Sequence, residues 1–500
     1  MTEALVLVSL AGVLACGACG ESAGPTRTAV AVGPTTAVAV DVSTPGRAVP
    51  DDFLGVSVEW NSVREYLGDG TGHARAAAVT LLAAFAAEGH RPEVRIGGNS
   101  EDQAWWNPSG LPRPAGVLHD LDTMDLNTLA DLQHQVGNQF VLGLNLVLDD
   151  ADNAAALVTA ARTAIPHGLF AFELGNEPDV FVTDRHRPAG YDWAAYQADV
   201  RQFRDGINAQ LATPVPFQWP AVARRTWLDA LAAAIPDQGD QLASVSTHVY
   251  PCTVCLGFPA PRPQALLTPF ATAQVAAAYA PVARAAHDAG IPYRMGELNS
   301  VSCGGAAGVS DVYASALWAA DVSMRLAEVG VDGVNFHGGA PPGTPSYYAP
   351  FVFDANGAPL VRPLYYGLRL VSLATAAHGR LVPVTVTPPE GTPAVIDAFA
   401  TLGDDGAIRI LALRRSDAGT DAESVTVTVT GSTVHAATLL RLDAPSLDAT
   451  TGLSLGGQTW DGSADGIPIG TLNEEPLIPT GAVWSLDLPP YDAVVITLSP

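Results

Sequence analysis

Two glutamates carry the strongest chemical signal in this 500-residue chain. Glu177 lies in Phe172-Glu173-Leu174-Gly175-Asn176-Glu177-Pro178-Asp179, and Glu297 in Tyr293-Arg294-Met295-Gly296-Glu297-Leu298-Asn299. Each follows an apolar run and precedes polar or turn residues, the pattern of an acid at the end of a buried strand. Two carboxyls about 5 Å apart are what retaining glycoside hydrolysis requires. One attacks the anomeric carbon and becomes an ester; the other protonates the leaving oxygen, then deprotonates water. At that spacing and an effective dielectric of about 20, their repulsion is roughly 3 kcal/mol, about two pKa units. The first carboxyl to ionise therefore keeps the second protonated near neutral pH, and esterification of the first frees the second to act as base.

Strand depth separates the acids of the first stretch. Glu173 shares the parity of Glu177 but lies four residues deeper, roughly 13 Å along a strand. It reads as an interior partner, with Arg95 as the candidate cation, and Asp179 as loop or cap chemistry. Asn176 is placed to hold a sugar 2-hydroxyl, and Pro178 fixes the chain as it leaves the strand. Other predicted strand ends also carry polar groups: Arg95 to Asp102, His248 and Tyr250, Asn299, and Asn335 and His337. Trp60, Trp105 and Trp106 read equally as sugar platforms or as packing. The basic groups Arg185-His186-Arg187 and Arg224-Arg225 could meet an anionic aglycone, although such residues more often pair with nearby acids.

The elements that must position these groups follow from the pattern of residues 51–372. Short apolar runs begin at 53, 93, 140, 169, 216, 244, 293 and 333, with Ala-rich stretches of helical period between them. One such helix spans the 311–330 region, capped by Ser310-Asp311 and ended by Gly330. Eight β-then-α units predict an α/β fold, a (β/α)8 barrel, whose chemistry sits at the carboxyl ends of the strands. Acids ending the fourth and seventh strands face each other across such a mouth. Residues 373–500 alternate polar and apolar positions between turns, which predicts an antiparallel β-sandwich. The strand pattern at 36–50 can add to that sandwich.

The chain has 51 acidic and 25 basic residues, a net charge of −26, and no lysine. Long-range attraction to nucleic acid or anionic membranes is disfavoured. Residues 1–20 hold an apolar core of signal-peptide length, and 21–35 read as a linker. Export is expected, either through a plain secretory signal cleaved near Ala18 to Ala23 or as a lipoprotein acylated at Cys16 or Cys19. A membrane tether is then expected only through that lipid. Beyond it stand Cys252, Cys255 and Cys303; the CxxC has no second ligand pair, so a disulfide from Cys303 to Cys252 or Cys255 is expected rather than zinc. The chemistry calls for no cofactor and no metal, and for a carbohydrate partner.

The segments "RIGGNSED", "ELGNEPD" and "MGELNS…GG…GVSDVYASALWAAD" together resemble glycoside hydrolase family 79, the β-glucuronidase and heparanase family, over roughly residues 36–500. The resemblance implies an exo-acting β-glucuronidase with Glu177 as acid/base and Glu297 as nucleophile. It implies that Asn99, Asn176, His248, Tyr250, His337 and Tyr348 line the sugar subsite. Family members often carry a Tyr, then a Gly, after the nucleophile to bind the uronate carboxylate; here Ser302 stands in the Tyr position. Backbone N–H groups at Cys303, Gly304 and Gly305 could still cradle an anion. Neighbouring specificities (β-xylosidase, β-glucosidase, endo-acting heparanase) and a non-catalytic carbohydrate-binding protein are the competing readings.

Overall fold

A computed structural model describes residues 35–238, 242–340, 345–417 and 421–500. The expected signal segment, with Cys16 and Cys19, lies outside the described residues, as does all but the last residue of the expected linker.

After strand β1 (Thr35–Asp41) come eight parallel strands: β2 (Leu54–Glu59), β3 (Glu93–Gly97), β4 (Gln139–Leu144), β5 (Leu169–Leu174), β6 (Phe217–Val222), β7 (Leu242–Val249), β8 (Tyr293–Leu298) and β9 (Gly333–Gly338). They close in chain order, β9 pairing back onto β2. Helices α1 (Ala76–Ala86), α2 (Thr123–Val136), α3 (Ala151–Ala164), α4 (Trp193–Gln210), α5 (Leu228–Ala234), α6 (Ala273–Asp288), α7 (Tyr313–Glu328) and α8 (Pro363–Ala374) follow the strands one by one. This is the expected (β/α)8 barrel. Its strands are buried on both faces, which is why they read as continuous apolar runs.

The barrel interior is not wholly apolar. At its amino-terminal end Glu93 accepts from Arg294 Nε at 3.0 Å and from Asn335 Nδ2 at 2.7 Å. All three side chains are fully buried, so each charge has a partner, as a dry interior demands. Gly143 leaves room for Glu101: a Cβ there would lie 2.0 Å from Glu101 Oε2.

Local chemistry starts several helices. Asp122 and Asp125 form a reciprocal capping box on α2. Asp150 and Asp192 accept the N3 backbone N–H of α3 and α4. The Ser310-Asp311 cap expected for α7 is not formed. Val312 occupies the N-cap position, while Ser310 Oγ accepts from Ala306 N and Asp311 Oδ1 from Gly308 N, so both side chains close the preceding turn instead. α7 is buried on nearly every side, which explains its Ala-rich, all-round apolar surface.

The carboxyl-terminal strands are β10 (Arg380–Val382), β11 (Val384–Thr387), β12 (Ile396–Leu402), β13 (Ile408–Arg414), β14 (Glu423–Thr430), β15 (Ala436–Asp443), β16 (Val483–Leu488) and β17 (Ala493–Ser499). One sheet has the order β11-β1-β14-β16, and the other contains β10-β12-β13-β17-β15. β1 runs antiparallel to β11 and parallel to β14. Val38, Val40, Val425, Val427, Ile410 and Ile496 form the core between the sheets. The opposite face of the larger sheet, with Phe399, Leu411, Leu413 and Val495, joins the barrel core.

Candidate active site

β5 delivers its acid through a strained turn. Gly175 has φ +81°, and a Cβ there would meet Leu146 at 2.6 Å, so the position needs glycine. Glu177 itself sits at φ +50°, ψ 54°, left-handed for a branched-free but substituted residue. Its N–H donates to Ala221 O at 3.0 Å and Pro178 fixes the exit. Such strain persists only where surroundings over-determine it, and it concentrates at working sites. The loop is held from below by Asp102, which accepts Asn176 N at 2.9 Å and Val147 N at 3.1 Å. Burial pushes the Asp102 carboxyl up to about 7, against the hydrogen bonds that favour its charge.

β8 delivers Glu297. Ligand atoms of Glu177, His248 and Glu297 all lie within 4.8 Å of one another. The two carboxylates therefore meet at the spacing that a direct displacement by one of them needs.

The surroundings of the two acids differ. Glu297 Oε2 accepts from Arg95 Nη1 at 2.7 Å, and Oε1 accepts from the Tyr250 hydroxyl at 2.6 Å. His337 Nδ1 stands 3.4 Å from Oε2 and hydrogen-bonds Ser57 Oγ at 2.9 Å. Burial raises the Glu297 carboxyl, but the neighbouring His337, His248 and Arg95 and the Tyr250 hydroxyl outweigh it. The net result lies well below the ordinary carboxylate range. The imidazoles contribute fully only when protonated, whereas Arg95 and Tyr250 act at every relevant pH. Burial, then the charge of Glu297, pushes the Tyr250 hydroxyl well up, so it stays a donor.

Glu177 is more open, its side chain 18 % exposed against 8 % for Glu297, and it meets His248 Nδ1 at 2.9 Å. His248 is fully buried; burial lowers its pKa, but Glu297 and Glu177 outweigh burial and Arg95, and the net shift is upward. One acid is thus locked in the charged form, while the other faces the opening. That asymmetry suits a nucleophile and a proton carrier.

Arg95 organises the floor. Its guanidinium also binds Glu173 through Nε at 2.7 Å, Asn176 Oδ1 at 2.9 Å and Ser57 Oγ at 3.0 Å. Gln218 Nε2 donates to the other Glu173 oxygen at 2.6 Å. Glu173 is therefore the interior partner its depth suggests. Asp179 is loop chemistry, accepting the N–H groups of Ala223 and Arg224.

Of the expected sugar-lining residues, Asn176, His248, Tyr250, His337 and Tyr348 converge on the acid pair. Tyr348 stacks edge-on to His337, with centroids 5.7 Å apart, and lies 6.2 Å from Tyr250. Asn99 is exposed at the rim, 3.2 Å from Asn176 Nδ2. Ser302, Cys303 and Gly304 make no hydrogen bond to either glutamate among the described residues. Ser302 Oγ donates to Thr253 Oγ1 at 2.7 Å, and Cys303 is exposed and bonded to Cys255, leaving Cys252 as the free thiol among the described residues. Cys303, Gly304 and Gly305 have φ of +64°, +87° and +80°, and the Gly304 backbone acts on the Tyr348 hydroxyl. That places the glycine turn against the pocket wall.

The sequence reading missed Glu59 and Ser57. Glu59 ends β2, accepts from Asn99 N at 3.1 Å and Ser100 N at 2.7 Å, and stands 3.8 Å from His337 Nε2. Its signal was available, since "GVSVE" ends on an acid just as β5 and β8 lead into theirs. Trp60 is core, donating to Gly143 O at 3.0 Å. Trp106 faces a separate groove between α2 and α3 that shares no residue with the acid pair. Arg187 pairs with Asp199 at 2.9 Å, and Arg225 lies over the Tyr279 ring.

Glu177, His248 and Glu297 are the one trio among the described residues with spacing fit for a cation. Both Glu297 oxygens already accept hydrogen bonds, one from a guanidinium 2.7 Å away. A metal there would compete with a fixed positive charge.

No protein-family model matches the chain. It is 24 % identical over 349 residues to a β-glucuronidase of Neurospora crassa, covering 60 % of each chain. It is 25 % identical over 340 residues to a β-glucuronidase of Aspergillus niger, covering 59 % of this chain and 61 % of the relative. The matched region thus spans about three-fifths of the length of these curated relatives. Among solved structures, a 4-O-α-L-rhamnosyl-β-D-glucuronidase from Fusarium oxysporum superposes with TM-score 0.73 at 21 % identity, covering 92 % of this chain and 100 % of the other. A family 51 arabinofuranosidase from Xanthomonas axonopodis gives 0.70 at 15 % identity, covering 93 % and 100 %. Both share the fold of this chain.

Proposed function

We propose that the protein is a retaining glycoside hydrolase of the clan A barrel type, acting as an exo-β-glucuronidase of the family 79 kind. The reading rests on one observation: two carboxylates within 4.8 Å at the ends of facing barrel strands, one fixed in its charged form by Arg95 and Tyr250. In this scheme Glu297 attacks the anomeric carbon while Glu177 gives its proton to the leaving oxygen, releasing the alcohol. Glu177 then takes a proton from water, whose oxygen attacks the same carbon and frees Glu297. On this reading Asn176 and Asn99 bind the ring hydroxyls, and the N–H groups of Cys303, Gly304 and Gly305 bind the uronate carboxylate. The names of the curated relatives support glucuronate as glycone.

A second reading, a neutral pentose or hexose glycone, draws on Glu59, which adds a carboxylate beside His337 where a uronate would be repelled. A panel of aryl β-glucuronide, β-xyloside, β-glucoside and α-arabinofuranoside separates the two. Fastest turnover of the glucuronide is expected; preference for a neutral glycone refutes the first reading. The Cys255–Cys303 disulfide fits an oxidising compartment, in keeping with export, which cell fractionation with palmitate labelling tests.

A further inference from the structure

The barrel mouth carries a feature that the acid pair does not use. Beyond β7, Cys252–Thr253 pairs in parallel with Val301–Ser302, which lies beyond β8. The Cys255–Cys303 disulfide, with Cα atoms 5.5 Å apart, and the Ser302–Thr253 hydrogen bond lock the two loops together. On this clamp two large apolar side chains stand in water, Leu256 at 95 % exposure and Phe258 at 60 %. Leu256 also adopts φ +57°, a conformation that costs a branched side chain roughly 1–2 kcal/mol. Pro259, Pro261 and Pro263 stiffen the chain that follows. A flexible loop would fold such groups inward; this one holds them outward, with the ordering entropy already spent before a ligand arrives.

The position is specific. Tyr250, two residues before the clamp, touches Glu297, and His248 on the same strand touches Glu177. Cys303 is followed by Gly304, whose carbonyl accepts Tyr347 N at 3.0 Å in the pocket wall. The loop after β7 therefore leaves the barrel beside the acid assigned to the leaving oxygen. On the glucuronidase reading, the group that oxygen carries leaves along this side of the mouth. The occupant is not a polyanion, because a chain with a net charge of −26 repels one.

We propose that Leu256 and Phe258 form the aglycone wall of the site, and that its substrates are glucuronides of apolar, ring-bearing aglycones. The inference rests on the glucuronidase reading above. Leu256→Ser and Phe258→Ser, compared with wild type on 4-methylumbelliferyl and methyl β-D-glucuronide, test it through the ratio of the two kcat/KM values. Loss of one buried apolar contact should lower that ratio about tenfold in each variant, mainly through KM for the aryl substrate. An unchanged ratio in an enzyme that hydrolyses glucuronides overturns the inference and assigns the knuckle to another occupant, such as a lipid surface. Equal losses on both substrates also overturn it, since the loop would then serve the fold or the glycone. A wild type inert toward both glucuronides overturns the reading of the site, and the inference with it.

Discussion

Removing the Glu177 carboxyl should slow the enzyme by an amount that depends on the leaving group. General acid catalysis contributes about 10²–10⁴-fold, roughly 3–5.5 kcal/mol. All of that should be lost by Glu177→Ala on methyl β-glucuronide, whose alkoxide cannot leave unprotonated. Almost none should be lost in the first step with a dinitrophenyl glucuronide, whose phenolate needs no proton. Glycosyl-enzyme then accumulates because no base activates water, giving a burst, a low kcat and a low KM. Azide should restore turnover by entering the vacated space, and with carboxylates no more than 4.8 Å apart the azide product should retain the β configuration. The structure supplies a control. His248 is fully buried, its Nε2 has no partner among the described residues, and Glu177 is the partner of Nδ1. Truncation to Ala therefore strands an imidazole, at a cost of about 1–3 kcal/mol in stability, whereas Glu177→Gln keeps an acceptor there. Stopped-flow release of the phenol and proton NMR of the first-formed sugar read these outcomes. Equal losses on both substrates, or an α product, would refute the assignment of Glu177.

Three further outcomes are expected. A 2-deoxy-2-fluoro glucuronide with a good leaving group should esterify Glu297 and no other residue, read by peptide mass spectrometry; label elsewhere removes Glu297 as nucleophile. Asp102, raised in the folded state to about 7 from an ordinary 3.8, favours folding below the lower value and loses that contribution as pH rises through the upper one. The stability of wild type relative to Asp102→Asn should therefore decline by about 4 kcal/mol between pH 3 and 8, and a flat difference in urea unfolding contradicts the burial argument. Replacing Cys255 and Cys303 with Ser opens a link across 48 residues of sequence, which loop-closure entropy values at about 4 kcal/mol; an unchanged melting temperature would mean that the paired loops are held by other contacts.

Much of the barrel was legible because each strand is an apolar run ending in polar residues, and the helices between have their own period. The acids Glu177 and Glu297 were legible for the same reason. Cross-barrel relations were not. Arg95 could be matched with Glu173 by depth, but its second hold, on Glu297, depends on how closure and strand tilt bring β3 opposite β8. Glu59 carried the same signal as the other strand-end acids, yet its partners Asn99, Ser100 and His337 come from other strands and leave no local pattern beside it. Trp60 illustrates the reverse case: an aromatic at a strand end, indistinguishable in sequence from a sugar platform, is drawn inward by a hydrogen bond to Gly143. The choice between Cys252 and Cys255 turned on a two-residue parallel pairing too short to leave any pattern.

The placement of β1 bears on how the chain matures. Thr36 Oγ1 donates to Glu423 Oε1, a contact spanning 387 residues, and β1 lies between strands that are made late. At roughly 5–20 residues per second, a ribosome needs about 20–80 s to deliver the second partner after the first. Until residue 384 is made, Val38 and Val40 have no partner strand, and the parallel partner follows only at residue 423. The barrel strands are all made before the sandwich strands that flank β1, so translation halted before residue 423 would leave β1 without its parallel partner and an apolar strand edge open to neighbouring chains.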